Sequence, residues 1–313
     1  MDENLSREAI TPSVEPPYDG YGGLVAHVKW DDRPRVRHPV LIAAFEGWND
    51  AADAATTAAR YLRQQWDARP FARIDPEEFY DFSSTRPQVR LTDGLTREII
   101  WPTNELSAAA MPGSARDAVI LVGVEPQLKW RTFASEIVDI AKDLEVGLVL
   151  TLGALLADVP HTRPVRVTGT AADPELVARL GLQRSRYEGP TGIVGVLHEA
   201  CSRASLASAS LWAAVPHYVA ATPSPKATLA LVERASELLS TSLVATDLEI
   251  ASAAYERQVS EVVASDEDVS AYVERLEESA DDDEDLLEGD ELPTGETLVA
   301  ELEKFLREQP RGD

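Results

Sequence analysis

The sequence predicts an α/β protein, a three-layer αβα sandwich around a mostly parallel or mixed sheet, followed by a C-terminal α-helical extension. Three observations point to it. Unbroken apolar runs of strand length, such as PVLIAAF at 39–45 and AVILVGV at 118–124, suit strands buried on both faces. Segments of helical length lie between them, with apolar residues three and four apart. After residue 243 the strand-like runs stop and only helical periodicity continues.

Taken in order, residues 1–22 are polar, broken by Pro12, Pro16 and Pro17, and read as an irregular lead-in. The core domain is expected over 23–243. Its first strand, 39–45, runs through EGWND into a helix over 51–66, where Ala54, Ala55, Ala58, Tyr61 and Leu62 keep helical spacing. Asn49 or Asp50 can cap that helix by accepting from its free amides. Strands are expected around 88–91, as an edge, and at 97–101, then at 118–124, 146–154 and 165–171. Helices follow over 133–144 and from Pro174 to about Gly181. The Gly-rich GPTGIVG leads into a helix through His198 to Arg203. A strand at 208–216 and a helix from Pro225 to Leu239 complete the core.

The extension is assigned to 244–313. Leu248, Tyr255, Val259 and Val262 fit either a short heptad seam or an amphipathic helix lying on the core. With a second helix carrying Val269, Tyr272, Val273 and Leu276, it makes a helical hairpin. The acidic run 281–285 is expected to be a solvated linker. A terminal amphipathic helix over 296–307 carries Leu298, Leu302, Phe305 and Leu306 and needs a surface to cover that face.

Charge narrows the partners. The formal net charge is -25. From Asp247 onward 23 acidic residues face 5 basic ones, a net of -18, which leaves -7 for the first 246 residues. Such a field repels phosphate backbones and anionic lipid, so no nucleic acid and no membrane partner is expected, whereas a basic protein surface is. Neither a basic leader followed by an apolar run nor a stretch of membrane-spanning length occurs, which predicts a cytoplasmic protein. The single cysteine, Cys201, excludes a disulfide framework and reads as a small buried apolar group.

The polar groups with potential chemistry cluster where open α/β sheets place ligands, after the C-terminal ends of strands. Glu46, Asn49 and Asp50 follow the first strand, Glu125 and Arg131 follow AVILVGV, and Thr191 and Gly192 lie in the Gly-rich turn. Together they define a candidate ligand crevice. Glu46 and Glu125 can act there as general acid and base, or else cap helices and pair with Arg97 or Arg131. GPTGIVG can offer helix amides to an anion, or only turn the chain with Thr191 as cap. Its spacing matches neither a dinucleotide fingerprint nor a P-loop. The five histidines are far apart in sequence, none at metal-ligand spacing, and no G-x-S-x-G elbow occurs, so no metal and no cofactor is expected. Trp48 and Trp130 are candidate interface anchors or core residues. Leu248, Tyr255, Val259, Leu302 and Phe305 are further interface candidates.

The segment PVLIAAFEGWNDAADAATTAARYL resembles the opening of the proteasome-assembly-chaperone family, and VILVGVEPQLKWRTF, VLTLGALLADVPHTRPV and YEGPTGIVGVLHEAC resemble its later blocks. With LPTGETLVAELEKFLRE near the end, the similarity runs from about residue 23 to 308 and suits the bacterial branch, which carries a helical C-terminal extension. This resemblance implies a nucleoside-phosphorylase-like sandwich and a homo-oligomer, with a trimer as one state. It also implies partners among proteasome subunits, which eukaryotic and archaeal relatives help assemble or dock on. Docking relatives use a hydrophobic-Tyr-any tail; this chain ends Arg311, Gly312, Asp313, so that route is not expected here. The reading is therefore a protein-interaction or assembly-chaperone-like module more than an enzyme. The alternative is a small-molecule binder, nucleoside phosphorylase or hydrolase, or carboxylate ligase working in the crevice.

Overall fold

A computed structural model describes residues 27–92 and 94–286. Its centre is an eight-stranded mixed sheet ordered β1-β3-β6-β7-β2-β8-β10-β9. The four middle strands are the long apolar runs: β7 (Asp117–Val124), β2 (Val40–Glu46), β8 (Leu148–Ala157) and β10 (Ser208–Pro216). They are mutually parallel, with Val40 opposite Ala118 on one side and Leu148 on the other. The flanks are antiparallel: β6 (Asn104–Ala110), β3 (Arg69–Ile74) and β1 (Val28–Trp30) beyond β7, and β9 (Val167–Ala171) beyond β10.

Alternation along β2 shows why two helical layers are needed. Val40, Ile42 and Ala44 enter one core with α1 (Ala54–Gln65) and α5 (Pro225–Leu239), beside α3 (Pro174–Leu180). Leu41, Ala43 and Phe45 enter the other, with α2 (Trp130–Asp143) and α4 (Ile193–Arg203). Side chains on a strand point alternately to opposite faces, so an apolar residue at every position demands cover on both. The result is a three-layer αβα sandwich, as the sequence predicts. Cys201 is buried in the α2–α4 layer, where burial pushes its thiol up to about 11.

The extension forms two described helices. α6 (Thr246–Ala264) lies along α5, and α7 (Glu267–Leu286) packs on α6. Tyr255, Val259, Val263 and Val273 form a small core that also engages Tyr218 and Val219 from the turn after β10. The alternative of an amphipathic helix on the core therefore holds, and the heptad seam does not. Its stripe is Ser252, Tyr255, Val259 and Val263, whereas Val262 is 69% exposed, because a straight helix turning 100° per residue brings 263, not 262, back to the same face.

Several other expectations need correction. The acidic run 281–285 continues α7 rather than forming a linker, since extending an existing helix costs far less than starting one. The helix expected at 51 starts at Ala54: Ala52 and Asp53 adopt left-handed backbone, breaking the first turn. The strand around 88–91 is no edge of the main sheet. β4 (Gln88–Thr92) and β5 (Thr96–Ile100) pair only with each other as a separate two-stranded hairpin. Strands β1, β3 and β6 are additional. The lead-in 1–22 and the amphipathic stretch 296–307, with Leu302 and Phe305, lie outside the described residues.

Candidate functional site

The turn after β2 is built by its own residues. Gly47 takes φ +125°, a conformation that a side chain strongly disfavours, and a Cβ there would also lie 3.2 Å from the Glu125 Cβ. This reverses the chain after Glu46 and lets the Asp50 amide donate to the Gly47 carbonyl at 3.1 Å. Asp50 is buried, and its Oδ1 accepts from the amides of Ala55 at 2.7 Å and Thr56 at 3.2 Å. Its other oxygen accepts from the Thr56 hydroxyl at 2.5 Å. Burial raises the Asp50 pKa, and these donors oppose the rise. As an acceptor for free α1 amides Asp50 has the capping role its position suggested, although it reaches past the two left-handed residues to do so.

Asn49 is buried beside it. The Ala154 amide within β8 donates to the Asn49 carbonyl at 2.8 Å, and the Asn49 side-chain amide donates to Glu125 Oε1 at 3.4 Å. Glu125 follows β7, and its own amide donates to the Glu46 carbonyl at 2.9 Å. Its carboxylate accepts from the Ile193 amide at 2.7 Å, at the first turn of α4, and from the Trp48 amide at 3.4 Å. The anion received at the start of α4 is therefore the chain's own Glu125, where helix amides and dipole favour a carboxylate. Gly192 permits this approach: a Cβ there would lie 2.3 Å from Asn49 Nδ2 and 2.6 Å from Glu125 Oε1.

Glu46 is half-exposed and pairs with Arg60 on α1. Arg60 also donates to the Thr56 hydroxyl at 3.2 Å. Neither Arg97 nor Arg131 is the partner of Glu46 or Glu125; Arg97 sits on the hairpin and Arg131 on the exposed side of the first turn of α2. Thr191 is exposed and does not cap α4. That helix starts after Gly192, and the Thr191 hydroxyl lies over Gly195.

The crevice is a cavity of about 530 Å³ lined by Glu46, Gly47, Thr85, Glu125, Gln127 and Trp130, with Val124 and Pro126. Of the predicted crevice residues only Glu46 and Glu125 line it; Asn49 and Gly192 lie against the Glu125 carboxylate, Asp50 is buried under the start of α1, and Arg131 and Thr191 are not part of the lining. Trp130 is half-buried against the core and donates its indole N–H to the Pro126 carbonyl at 2.5 Å. Trp48 is 63% exposed on the rigid turn. Among the described residues no group of three metal-ligating side chains comes together.

A second cluster ties the extension to the sheet end. His161, in the loop after β8, is 3% exposed; its amide donates to the Tyr218 hydroxyl at 2.8 Å, and its Nδ1 lies 2.8 Å from the same oxygen. Nε2 lies 3.0 Å from the Ser260 hydroxyl on α6, which gives its own proton to the Glu256 carbonyl at 2.8 Å. Nε2 must then carry a proton and Nδ1 must accept from Tyr218, which is the neutral ring. Burial, with Lys226 nearby, holds the His161 pKa below its ordinary value. Lys226 bridges the His161 carbonyl and Glu256, and Thr162 donates to Glu277 on α7. Beside this cluster is a cavity of about 240 Å³, whose lining includes His161, Arg166, Lys226 and Tyr255. Nothing in the spacing of the histidines foretold it; the signal is geometric.

The comparisons agree with this architecture. The family model described as the PAC2 family matches residues 44–263. A PAC2 family protein from Streptomyces avermitilis is 45% identical, with a TM-score of 0.69, over 75% of this chain and 99% of that one. A proteasome-assembly chaperone homologue from Mycobacterium tuberculosis is 47% identical, with the same TM-score and the same coverage. An archaeal proteasome activator from Pyrococcus furiosus, at 18% identity and TM-score 0.62 over 75% of this chain and 97% of that one, shares the fold. No curated protein matches the sequence. No described helix is long and apolar enough to cross a membrane.

Proposed function

Because the chain belongs to the PAC2 family, we propose that it works by binding proteins, as a self-associating, assembly-chaperone-like module of the cytoplasm whose partners include proteasome components. The observation that carries this reading is the kinship with the mycobacterial proteasome-assembly chaperone homologue. The enzyme alternative is not supported. The two glutamates it needs are engaged otherwise, Glu125 on the first turn of α4 and Glu46 with Arg60. An acid–base pair must be free to exchange protons with a substrate.

The test uses the full chain and purified proteasome α and β subunits. Co-elution with either subunit, together with faster or more complete assembly of the core particle, is the expected result. If the chain neither co-elutes nor alters the assembly time course, the reading is wrong.

A further inference from the structure

The exposed large apolar residues are concentrated at one end of the molecule. Val89, Leu91, Leu95 and Ile99 lie on the β4–β5 hairpin, each between 48% and 89% exposed, and Trp101 follows at its base. Trp48 and Leu128, also exposed, follow β2 and β7. All of these residues lie where the central parallel strands end.

The hairpin has two unlike faces. Val89 and Leu91 alternate along β4, and Ile99 stands opposite Val89, so the three share one side. On the other side Arg90 closes onto Glu98 at 2.9 Å. The polar side satisfies itself, while the apolar side is bare among the described residues. A two-stranded ribbon is marginal in water without a surface to pack on. Its base is held by Phe82 against Trp101, with ring centroids 4.8 Å apart, so the ribbon projects from a fixed root.

Charge adds a second asymmetry. Arg86 and Arg97 on and beside the ribbon are exposed and make no ion pair among the described residues, in a chain of net charge -25. The crevice next to it is lined by half-exposed Glu46, which Arg60 pairs, and by the Glu125 carboxylate, two acidic groups against one base, and exposed Trp48 follows the lining residue Gly47 directly in the chain. Thr85 lines that crevice only three residues before the hairpin starts, so the two features stand side by side. One end of one chain thus presents a cationic, apolar projection and, next to it, a hollow of net acidic lining with an exposed indole close by in the chain.

We propose that this end is a self-complementary interface, in which the β4–β5 hairpin of one copy seats in the crevice of a second copy, beside its Trp48. Both halves are present side by side on every chain, so two copies can exchange hairpins reciprocally, which closes the assembly as an isologous contact does. Arginine over an indole and beside carboxylates is a favourable pairing of the kind that anchors interfaces. The inference rests on the self-association part of the proposed function and not on any proteasome contact.

The test is the solution mass of the full chain by light scattering across micromolar concentrations. The wild type should exceed the 34.1 kDa of one chain. The double variant Leu91→Glu with Ile99→Glu should run as a monomer, and so should Trp48→Asp; all three residues are exposed, and circular dichroism checks that the folds are intact. Arg97→Glu, a milder change, should weaken association several-fold. Mixing the hairpin variant with the Trp48 variant should restore a two-chain species, because one keeps the crevice and the other the hairpin. A monomeric wild type overturns both self-association and this surface. An oligomer that survives the hairpin and Trp48 variants overturns the surface alone, as does one that dissociates only when residues 287–313 are removed. Failure of the mixture to associate overturns the hairpin-in-crevice arrangement.

Discussion

At the scale of single residues, the crevice is a set of mutual supports. Glu125 accepts from the α4 amide of Ile193, so Glu125→Ala leaves that donor unpaired and should cost about 1–3 kcal/mol in urea unfolding. Gly192→Ala drives a methyl group into Asn49 and Glu125 and should cost a similar ~1–3 kcal/mol. Trp48→Ala should change stability by less than about 0.5 kcal/mol, since the side chain is mostly in solvent. His161 gives a pH dependence with a definite sign. Its folded pKa is lowered, so on acidification the unfolded chain takes up the proton first, near 6.5. Stability contributed by the neutral ring is complete above that value and is lost as pH falls through it toward the folded pKa. Lowering pH from about 7.5 to about 5.5 should therefore lower the protection factors of the α6 and α7 amides, once the slower intrinsic exchange at acid pH is divided out, and His161→Gln should remove that response. Of these residues, Asp50 was legible because a capping side chain sits next to the amides it serves. Glu125 could be suspected of capping a helix, but which one was hidden: the amide it meets is 68 residues further along the chain.

At the scale of elements, legibility followed burial. The four parallel strands were readable because burial on both faces forces unbroken apolar runs such as VLIAAF and AVILV. β6, with sequence NELSAAA, has three alanines and low strand propensity, and it is a strand because β7 and β3 both offer it a ladder. β1 is only three residues long and carries no pattern at all. The hairpin did leave a signal, the Asp93–Gly94 dipeptide between two alternating segments, which favours a tight hairpin turn. That signal tells which strands join, not that they stand apart from the main sheet. The same contrast separates α6 from α7. α6 buries Ser252, Tyr255, Val259 and Val263, whereas of α7's described side chains only Val273 is fully buried, so exchange should be slow along α6 and faster along α7.

For the whole molecule, charge is the strongest influence that packing does not reveal. With -25 in total, and 15 acidic against 2 basic residues from Asp247 to Leu286, the folded chain repels itself most where α6 and α7 lie against the core. Screening should relieve this. Raising ionic strength from about 20 mM to about 0.5 M should raise the melting temperature of the full chain, since the Debye length falls from tens of ångströms to a few. A melting temperature that falls with salt would mean that the pairs joining loop and extension, such as Lys226 with Glu256, outweigh the repulsion.

The turn from Gly47 to Asp53 touches β7 through Glu125, β8 through the Ala154 amide, the start of α4 where Asn49 meets Gly192, and α5 through the Ser224 amide on the Ala52 carbonyl. A stretch with that many obligations has little freedom to drift, whatever the protein is used for. Descendants of such a chain would keep this motif while changing their partners, so its persistence would record ancestry rather than activity. Trp48 is the exception, for its side chain owes nothing to the fold. A tryptophan traded there for another residue would be the first place to look for a change of allegiance.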